Sequence, residues 1–349
     1  MALCLIKDHL TFPLQEPVLI FSVVLFVILF SPIILGRLKI PGIIGLILAG
    51  VALGPNGLHI LENDSSFKLF GFVGLLYIMF LAGLDLDLNE FKKNRNKSIV
   101  FGFLTFAIPL STGIYVFYGI LGYPILPALL IASMFSTHTL VGYPIVGRFG
   151  ITRNLSVNIA VGGTIITDTA VLLMLAVITG TVDGNLDSMF WTRMCISIAV
   201  FFFVVFYVFP RISRWFFKNI KDDNTSHYIF VMAMVFLAAF LVEIAQIEPI
   251  VGAFMAGLSL NRLIPQASAL HGKIEFVGNA LFIPFFLISV GMLVDLRVLL
   301  DGNQALIFAG IITGIALLTK WLAAWATQLI YKLSKAQRQL IFGLSSAHA

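Results

Sequence analysis

Long apolar runs, most of them about the length of a membrane-spanning helix, constrain this chain more than any other feature. Crossing the hydrocarbon core of a bilayer takes roughly 20 consecutive apolar residues in an α-helix. With glycine, proline and charged residues as boundaries, the runs lie at 17–35, 41–57, 67–84, 98–121, 124–146, 155–179, 189–210, 228–246, 249–261, 277–294 and 304–331, and a twelfth begins near Gln339. The sequence therefore predicts an all-α, polytopic membrane protein embedded in a lipid bilayer.

The composition excludes a soluble enzyme. Hydrophobic residues make up 59% and charged residues 11% of the 349 positions, whereas charged residues make up about 25% of an ordinary soluble domain. The chain contains no GxxxxGK[ST], CxxC, HExxH or GxSxG motif, and these are common signatures of nucleotide, redox, zinc and serine-hydrolase sites. We therefore expect no enzymatic activity and no cofactor.

Basic residues gather in alternate loops, and this pattern predicts the orientation of the chain. Clusters at 92–97 and 211–221 belong to one set of loops, while the opposite set holds only Lys7, Lys68 and Arg297. Loops rich in Lys and Arg face the cytoplasm. We therefore expect the N-terminus outside a cell membrane. The net charge of +5 then reflects topology, and no nucleic-acid partner is expected.

Three segments recur in the same order in the two halves of the chain. They pair 43–53 with 250–260, 83–88 with 291–296, and 136–138 with 346–348, at offsets of 207, 208 and 210 residues. The paired spans run in opposite directions, because an odd number of membrane crossings separates them. The sequence therefore predicts an inverted repeat, an arrangement that places a substrate site near the bilayer midplane.

The repeat also predicts how the chain divides. We expect a single transmembrane transporter domain over 1–349, with repeat 1 at about 41–179 and repeat 2 at about 248–349. The counterpart of Asp168 would fall near position 377, so we expect repeat 2 to be incomplete and the chain as given to end within its twelfth span. The GxxxG spacings at 50–54 and 310–314 predict close helix packing.

Two charged residues fall in the middle of predicted spans. Asp168 lies in the sixth span, and Lys320 lies in the eleventh. A charged side chain at the bilayer centre costs at least about 2.5 kcal/mol on insertion scales, so each such residue suggests a function. A carboxylate in this position can exchange a proton for a cation. We expect Lys320 to be its charge partner and to compete with an incoming cation.

The fifth span carries a polar segment in which a helix is expected to break. Its hydroxyl and imidazole side chains are those of Ser133, Ser136, Thr137, His138 and Thr139. Gly142 and Pro144 follow and interrupt the helix. The repeat counterpart is also polar and contains Ser346 and His348. Hydroxyls and free carbonyls suit a monovalent cation at Asp168, and too few carboxylates are present for a tight divalent site.

Several longer phrases of the sequence resemble one transporter family. The segments 45–55, 79–87, 167–168, 252–257 and 285–295 are similar to monovalent cation:proton antiporter family two, which contains bacterial Na⁺/H⁺ exchangers and K⁺ efflux antiporters. The resemblance implies the inverted-repeat Na⁺/H⁺ antiporter fold with two crossing broken helices. It implies thirteen helices in the full protein, about twelve of which fall within this chain.

The resemblance also implies roles for particular residues. Asp168 matches the ion- and proton-carrying aspartate, Lys320 matches its lysine partner, and Thr137 with its neighbours matches the first unwound crossover. The position before the aspartate is usually Asp, Asn or Gln in the family, and here it is Thr167.

Assembly is implied in the same way. Spans 17–35 and 189–246 are expected to be scaffold, dimer-forming and linker helices of a homodimer. Members of the family often carry a cytosolic regulatory domain after the last helix.

These observations together predict a secondary antiporter. Asp168 would alternately hold a proton and Na⁺ or K⁺, with Thr137, Thr167, Ser136 and the carbonyls of the broken helix completing the ion shell. The runner-up is a Na⁺-coupled symporter of a small organic solute. A K⁺ channel is disfavoured because the chain has no TVGYG-like filter, and a non-transporting membrane sensor would show no flux.

Overall fold

A computed structural model describes residues 12–37, 42–86, 88–137, 142–152, 154–183, 188–220, 224–244, 247–297 and 303–346. The regular elements within these ranges are helical. The α-helices are α1 (Pro17–Arg37), α2 (Gly42–Leu53), α3 (Ser65–Asp85), α4 (Leu88–Ile114), α5 (Ile125–Ser136), α6 (Tyr143–Arg148), α7 (Leu155–Asp183), α8 (Ser188–Phe203), α9 (Phe209–Asn219), α10 (Asn224–Ile244), α11 (Pro249–Leu260), α12 (Ala269–Val277), α13 (Ile283–Leu293), α14 (Asn303–Tyr331) and α15 (Lys335–Ser345).

Three wider π-helical turns continue some of these helices. Tyr115–Ile120 extends α4, Val204–Val208 joins α8 to α9, and Gly278–Phe282 joins α12 to α13. These turns were not among the elements expected from the sequence. Turns of this kind are uncommon and are found frequently at functional sites.

The spans predicted from hydropathy correspond to helices in the structure. Within the described ranges, eight helical segments are long and apolar enough to cross a bilayer, and three shorter apolar helices, α2, α5 and α11, lie at three more predicted spans. The helix α15 lies at the predicted start of the twelfth. The all-α, polytopic membrane fold is therefore confirmed. Several boundaries differ from expectation: the fourth span begins at Leu88 rather than at 98, the seventh continues to Asn219 rather than ending at 210, and the tenth begins at Ala269 rather than at 277. The fifth span divides into α5 and α6.

The chain forms two compact units. The first contains residues 1–77 and 274–309, and within it α2 crosses α13 at two glycines. A Cβ atom on Gly50 would overlap the carbonyl oxygen of Ile288, and one on Gly291 would overlap the carbonyl oxygen of Ile47. The two backbones are therefore in direct contact, and no larger residue fits at either crossing position.

The second unit contains residues 78–273 and 310–349, and a similar crossing joins the end of α3 to α11. A Cβ atom on Gly83 would overlap the carbonyl oxygen of Phe254, and one on Gly257 would overlap the carbonyl oxygen of Phe80. This crossing is again made by backbone on backbone.

The two GxxxG spacings differ in how closely another helix packs against them. A Cβ atom on Gly54 would lie 3.0 Å from the Cα atom of Met292, so the first spacing lies in a tight helix contact. Gly310 and Gly314 have no described atom within 4 Å of such a Cβ position. The expected close packing at 310–314 is therefore wrong within the described part of this chain, because that face of α14 has no neighbouring helix.

Candidate ion-binding site

The candidate site begins at Asp168, which lies inside the long helix α7 and is 7% exposed. α4 packs closely against this helix through two glycines. A Cβ atom on Gly102 would lie 2.9 Å from the Cβ atom of Ile166, and one on Gly163 would lie 2.6 Å from the ring of Phe101. Small residues at these positions allow α4 to lie directly against the helix that carries the carboxylate.

The neighbouring helix α5 ends beside this carboxylate. Its last residue is Ser136, and Thr137 adopts an extended backbone with φ −83° and ψ 168°. The Thr137 hydroxyl donates a hydrogen bond to Oδ1 of Asp168. The expected interruption of the fifth span is therefore confirmed, and it places a hydroxyl directly on the buried acid.

Lys320 of α14 is completely buried and lies at the same interruption. Its Nζ atom donates to the carbonyl oxygen and the hydroxyl oxygen of Thr105 and to the carbonyl oxygen of Ser136, each at 3.1 Å. Three acceptors match the three N–H bonds of an ammonium group. The carbonyls of a helix end lack partners within the helix and carry partial negative charge, so the lysine cation stabilises the end of α5.

The structure does not place Lys320 in direct contact with Asp168. The two residues form no ion pair within 4.0 Å in the described part of the chain, although their charges interact through space. The direct pairing expected from the sequence is corrected: the ammonium contacts Ser136, and the next residue, Thr137, contacts the carboxylate. The two charged groups are thus linked through the broken end of α5.

The other predicted ligands make different contacts. The hydroxyls of Thr167, Ser136 and Ser346 donate to carbonyls of their own helices, at 3.0, 3.0 and 3.3 Å. Such bonds leave the oxygen lone pairs of a hydroxyl available as acceptors. His138, Thr139 and His348 lie outside the described residues.

The donor set at Asp168 suits a single hard cation of low charge. A carboxylate oxygen and a threonine hydroxyl oxygen can both coordinate such a cation. Among the described residues, no group of three or more His, Cys, Asp or Glu side chains could hold a metal ion. Thr137 can also reverse its bond, because a protonated carboxyl donates to a hydroxyl oxygen. The same two side chains can therefore hold either a proton or a cation.

Comparison with known proteins assigns the chain to a family. The family model of the transmembrane sodium/hydrogen exchanger matches residues 23–348. The chain belongs to the sodium/hydrogen exchanger family. Because this family consists of transporters, membership agrees with the expectation that the chain is not an enzyme, and it gives no support to the symporter alternative.

Individual relatives agree with this assignment. The Na⁺/H⁺ antiporter NhaS5 of Synechocystis is 40% identical over 90% of this chain, which spans 45% of that protein. The Na⁺/H⁺-K⁺ antiporter GerN of Bacillus cereus is 28% identical over 81% of this chain and 72% of its own length.

A solved structure shares the fold of this chain. The sodium proton antiporter MjNhaP1 of Methanocaldococcus jannaschii matches with a TM-score of 0.70 at 17% identity, over 95% of this chain and 84% of that chain. The expected antiporter fold is therefore confirmed.

Two residues near the site were not predicted from the sequence of this chain. Thr105 supplies two of the three acceptors for Lys320, but a threonine within an apolar span carries no distinguishing signal. Glu248 immediately precedes α11, and its negative charge interacts with that of Asp168. Its side chain reaches solvent, yet partial desolvation by the surrounding protein raises the pKa of the carboxyl group.

Proposed function

We propose that this exchanger moves a monovalent cation, Na⁺ or K⁺, across the membrane in exchange for protons. The observation that carries the proposal is the hydrogen bond from Thr137 to Asp168 at the broken end of α5. Burying a carboxylate in a membrane helix costs free energy, and such residues generally mark pathways for ions or protons. Here it lies against the end of a helix, where the backbone of Thr137 is extended and the Thr137 hydroxyl reaches the acid.

The exchange follows from the capacity of one carboxylate. A cation bound between Asp168 and Thr137 excludes the proton from the same oxygen atoms, and a bound proton removes the negative charge that attracts the cation. Each ion must therefore leave before the other binds. Lys320 keeps the end of α5 in place through Ser136 during this competition, so it positions the ion-binding threonine without touching the ion.

An inverted repeat supplies the alternating access that this exchange needs. In the sequence alignment Gly50 corresponds to Gly257, and Gly83 corresponds to Gly291. In the structure Gly50 crosses Gly291, and Gly83 lies at the crossing with Gly257. Each crossing thus joins the first glycine position of one repeat to the second glycine position of the other repeat. This symmetry supports repeats at about 41–179 and 248–349.

We further propose a homodimer in a cell membrane with the N-terminus outside. The orientation is supported by the basic residues of alternate loops, and the dimer by the family resemblance alone. The same resemblance supports assignment to cation:proton antiporter family two and a cytosolic regulatory domain in the full protein.

Proton and cation flux in proteoliposomes tests the proposal. With a pH dye inside, a gradient of Na⁺ or K⁺ is expected to move protons in the opposite direction, and Asp168→Asn is expected to abolish this movement. Asp64→Asn is the matched control, because Asp64 is an exposed residue that accepts from the Phe67 backbone N–H, and asparagine can also accept this bond. Normal exchange by Asp168→Asn would contradict the proposal, and cation flux without proton movement would favour symport.

A further inference from the structure

A second candidate site lies in the unit that contains Asp168, away from the ion-binding residues. It is a cavity of about 600 Å³ lined by the π-helical turn between α8 and α9, by α9 and α11, and by the start of α4. Three cations contribute to its wall: Lys92, Arg214 and Arg262. The remaining wall is largely apolar and includes Phe206 and Leu258.

Among the described residues, no carboxylate pairs with any of the three cations. Arg214 donates from Nε to the carbonyl oxygen of Pro210 at 3.0 Å, which leaves the two terminal guanidinium nitrogens for another acceptor. All three side chains are exposed. Within the described ranges, the cavity therefore gathers three positive charges that no carboxylate pairs with.

The surroundings of the cavity are those of a membrane interface. On α9 the side chain of Trp215 is 64% exposed, and the Arg211 guanidinium lies 3.2 Å from the ring centre of Tyr207. Tryptophan, tyrosine and arginine are enriched where a protein meets lipid headgroups. In the wall itself, Phe206 is 41% exposed, so an apolar surface continues from the cavity toward the lipid.

We propose that this cavity binds the headgroup of an anionic phospholipid. The phosphate lies among Lys92, Arg214 and Arg262, and the acyl chains follow the apolar wall past Phe206. Basic pockets between membrane helices on the cytoplasmic side are suited to acidic headgroups. A soluble phosphate would use the three charges but not the apolar wall, and a zwitterionic lipid would gain less from the charges.

Lipid titration followed by native mass spectrometry tests this site. The purified full chain in detergent is titrated with phosphatidylglycerol, with phosphatidylcholine of the same acyl chains, and with inorganic phosphate. Phosphatidylglycerol is expected to bind most tightly. The triple variant Lys92→Gln, Arg214→Gln, Arg262→Gln is expected to weaken that binding about 100-fold, since each basic residue at an anionic surface contributes roughly a fivefold factor.

A second triple variant provides the matched control. Arg95→Gln, Arg211→Gln, Lys218→Gln removes the same charge from exposed positions of α4 and α9 that do not line the cavity. It is expected to lose less than about tenfold in affinity, because only the general surface attraction falls. Equal losses in the two triple variants would overturn the proposal, as would equal binding of phosphatidylcholine or displacement of the lipid by inorganic phosphate at similar concentration.

Charge-conserving variants separate recognition from folding. Arg214→Lys with Arg262→Lys is expected to bind phosphatidylglycerol within about threefold of the unmodified protein, because the positive charge is kept. If the cavity triple variant does not fold, Arg262→Gln alone is expected to weaken binding about fivefold. Unchanged binding by a folded Arg262→Gln protein would then count against the site.

Discussion

The glycine crossings and the Asp168 site bury backbone inside this membrane protein by opposite means. At the crossings the backbone of one helix lies on that of another, and the helical hydrogen bonds are kept. At Asp168 the helix α5 stops, and its Ser136 carbonyl accepts a hydrogen bond from Lys320. The hydroxyl of the next residue, Thr137, donates to the acid. The crossings leave no room for a new atom, whereas the polar site can change partners without losing its packing.

This contrast predicts which region tolerates substitution. A close-packed backbone crossing fails when atoms are added, since the helices must separate. A polar site that works by exchange fails when its charges or hydrogen bonds are removed. The variants below separate these two outcomes by measuring stability and ion binding in the same proteins.

The largest effect is expected at a glycine crossing. Gly83→Leu places a side chain on the carbonyl of Phe254, and we expect a loss of stability above the usual range of about 1–3 kcal/mol for overpacking. Thermal unfolding measured by size-exclusion chromatography should therefore show little folded protein. Gly310→Leu is the control, because its Cβ position has no described neighbour within 4 Å, and it should unfold as the unmodified protein does. Equal stability of the two variants would contradict the contact.

Removing the lysine cation is expected to have the next largest effect. Lys320→Met leaves the carbonyl of Ser136 and both oxygens of Thr105 without this donor. A buried acceptor left unsatisfied costs about 1–3 kcal/mol, so thermal unfolding should occur well below that of the unmodified protein.

Glutamine at the same position separates hydrogen bonding from charge. Lys320→Gln keeps two donors and should lose less stability than Lys320→Met. If both variants keep full stability, Lys320 does not hold the end of α5.

A smaller effect is expected from the threonine that contacts the acid. Thr137→Val keeps the shape of the side chain but removes the hydroxyl that donates to Asp168. We expect cation affinity to fall about tenfold, since the bound cation loses the Thr137 oxygen as a ligand and a polar contact with a charged group contributes about 1.5–3 kcal/mol. Thr137→Ser keeps the hydroxyl and should bind the cation nearly normally. Direct binding of radioactive Na⁺ measures both variants, and equal affinity would remove Thr137 from the ion shell.

The smallest effect is expected at Glu248, and it should depend on pH. The negative charge of Glu248 favours a cation near Asp168, so Glu248→Gln should weaken cation binding by less than about fivefold at alkaline pH. Desolvation raises the pKa of this carboxyl, so the charge is lost on acidification earlier than for an ordinary glutamate. The affinities of variant and unmodified protein should therefore converge as the pH falls. A difference that persists in acid would show that the charge of Glu248 is not the cause.

The sequence predicted the spans and the central residues of the site because each left a local signal. Asp168 and Lys320 stand out in apolar helices, and Gly142 with Pro144 marks the interrupted fifth span. The contacts between these residues could not be predicted in the same way. Thr105 looks like any helical threonine, and only the packing of α4 and α14 brings it to the ammonium group.

The glycines show the same limit. The spacing at 50–54 and that at 310–314 are alike in sequence. Among the described residues, only the first has a second helix against it. A pattern of small residues shows that close approach is allowed, but the partner that makes the approach depends on the tertiary fold.

The central claim is that one carboxylate binds either a proton or a cation. Its most direct test is the affinity for radioactive Na⁺ or K⁺, measured on purified protein over a series of pH values. If Asp168 is the shared site, the apparent dissociation constant for the cation rises about tenfold for each unit by which the pH falls, once the carboxyl is mostly protonated, because one proton displaces one cation. Asp168→Asn abolishes this binding. A cation affinity that does not change with pH, or one that Asp168→Asn retains with the same pH dependence, would contradict the account.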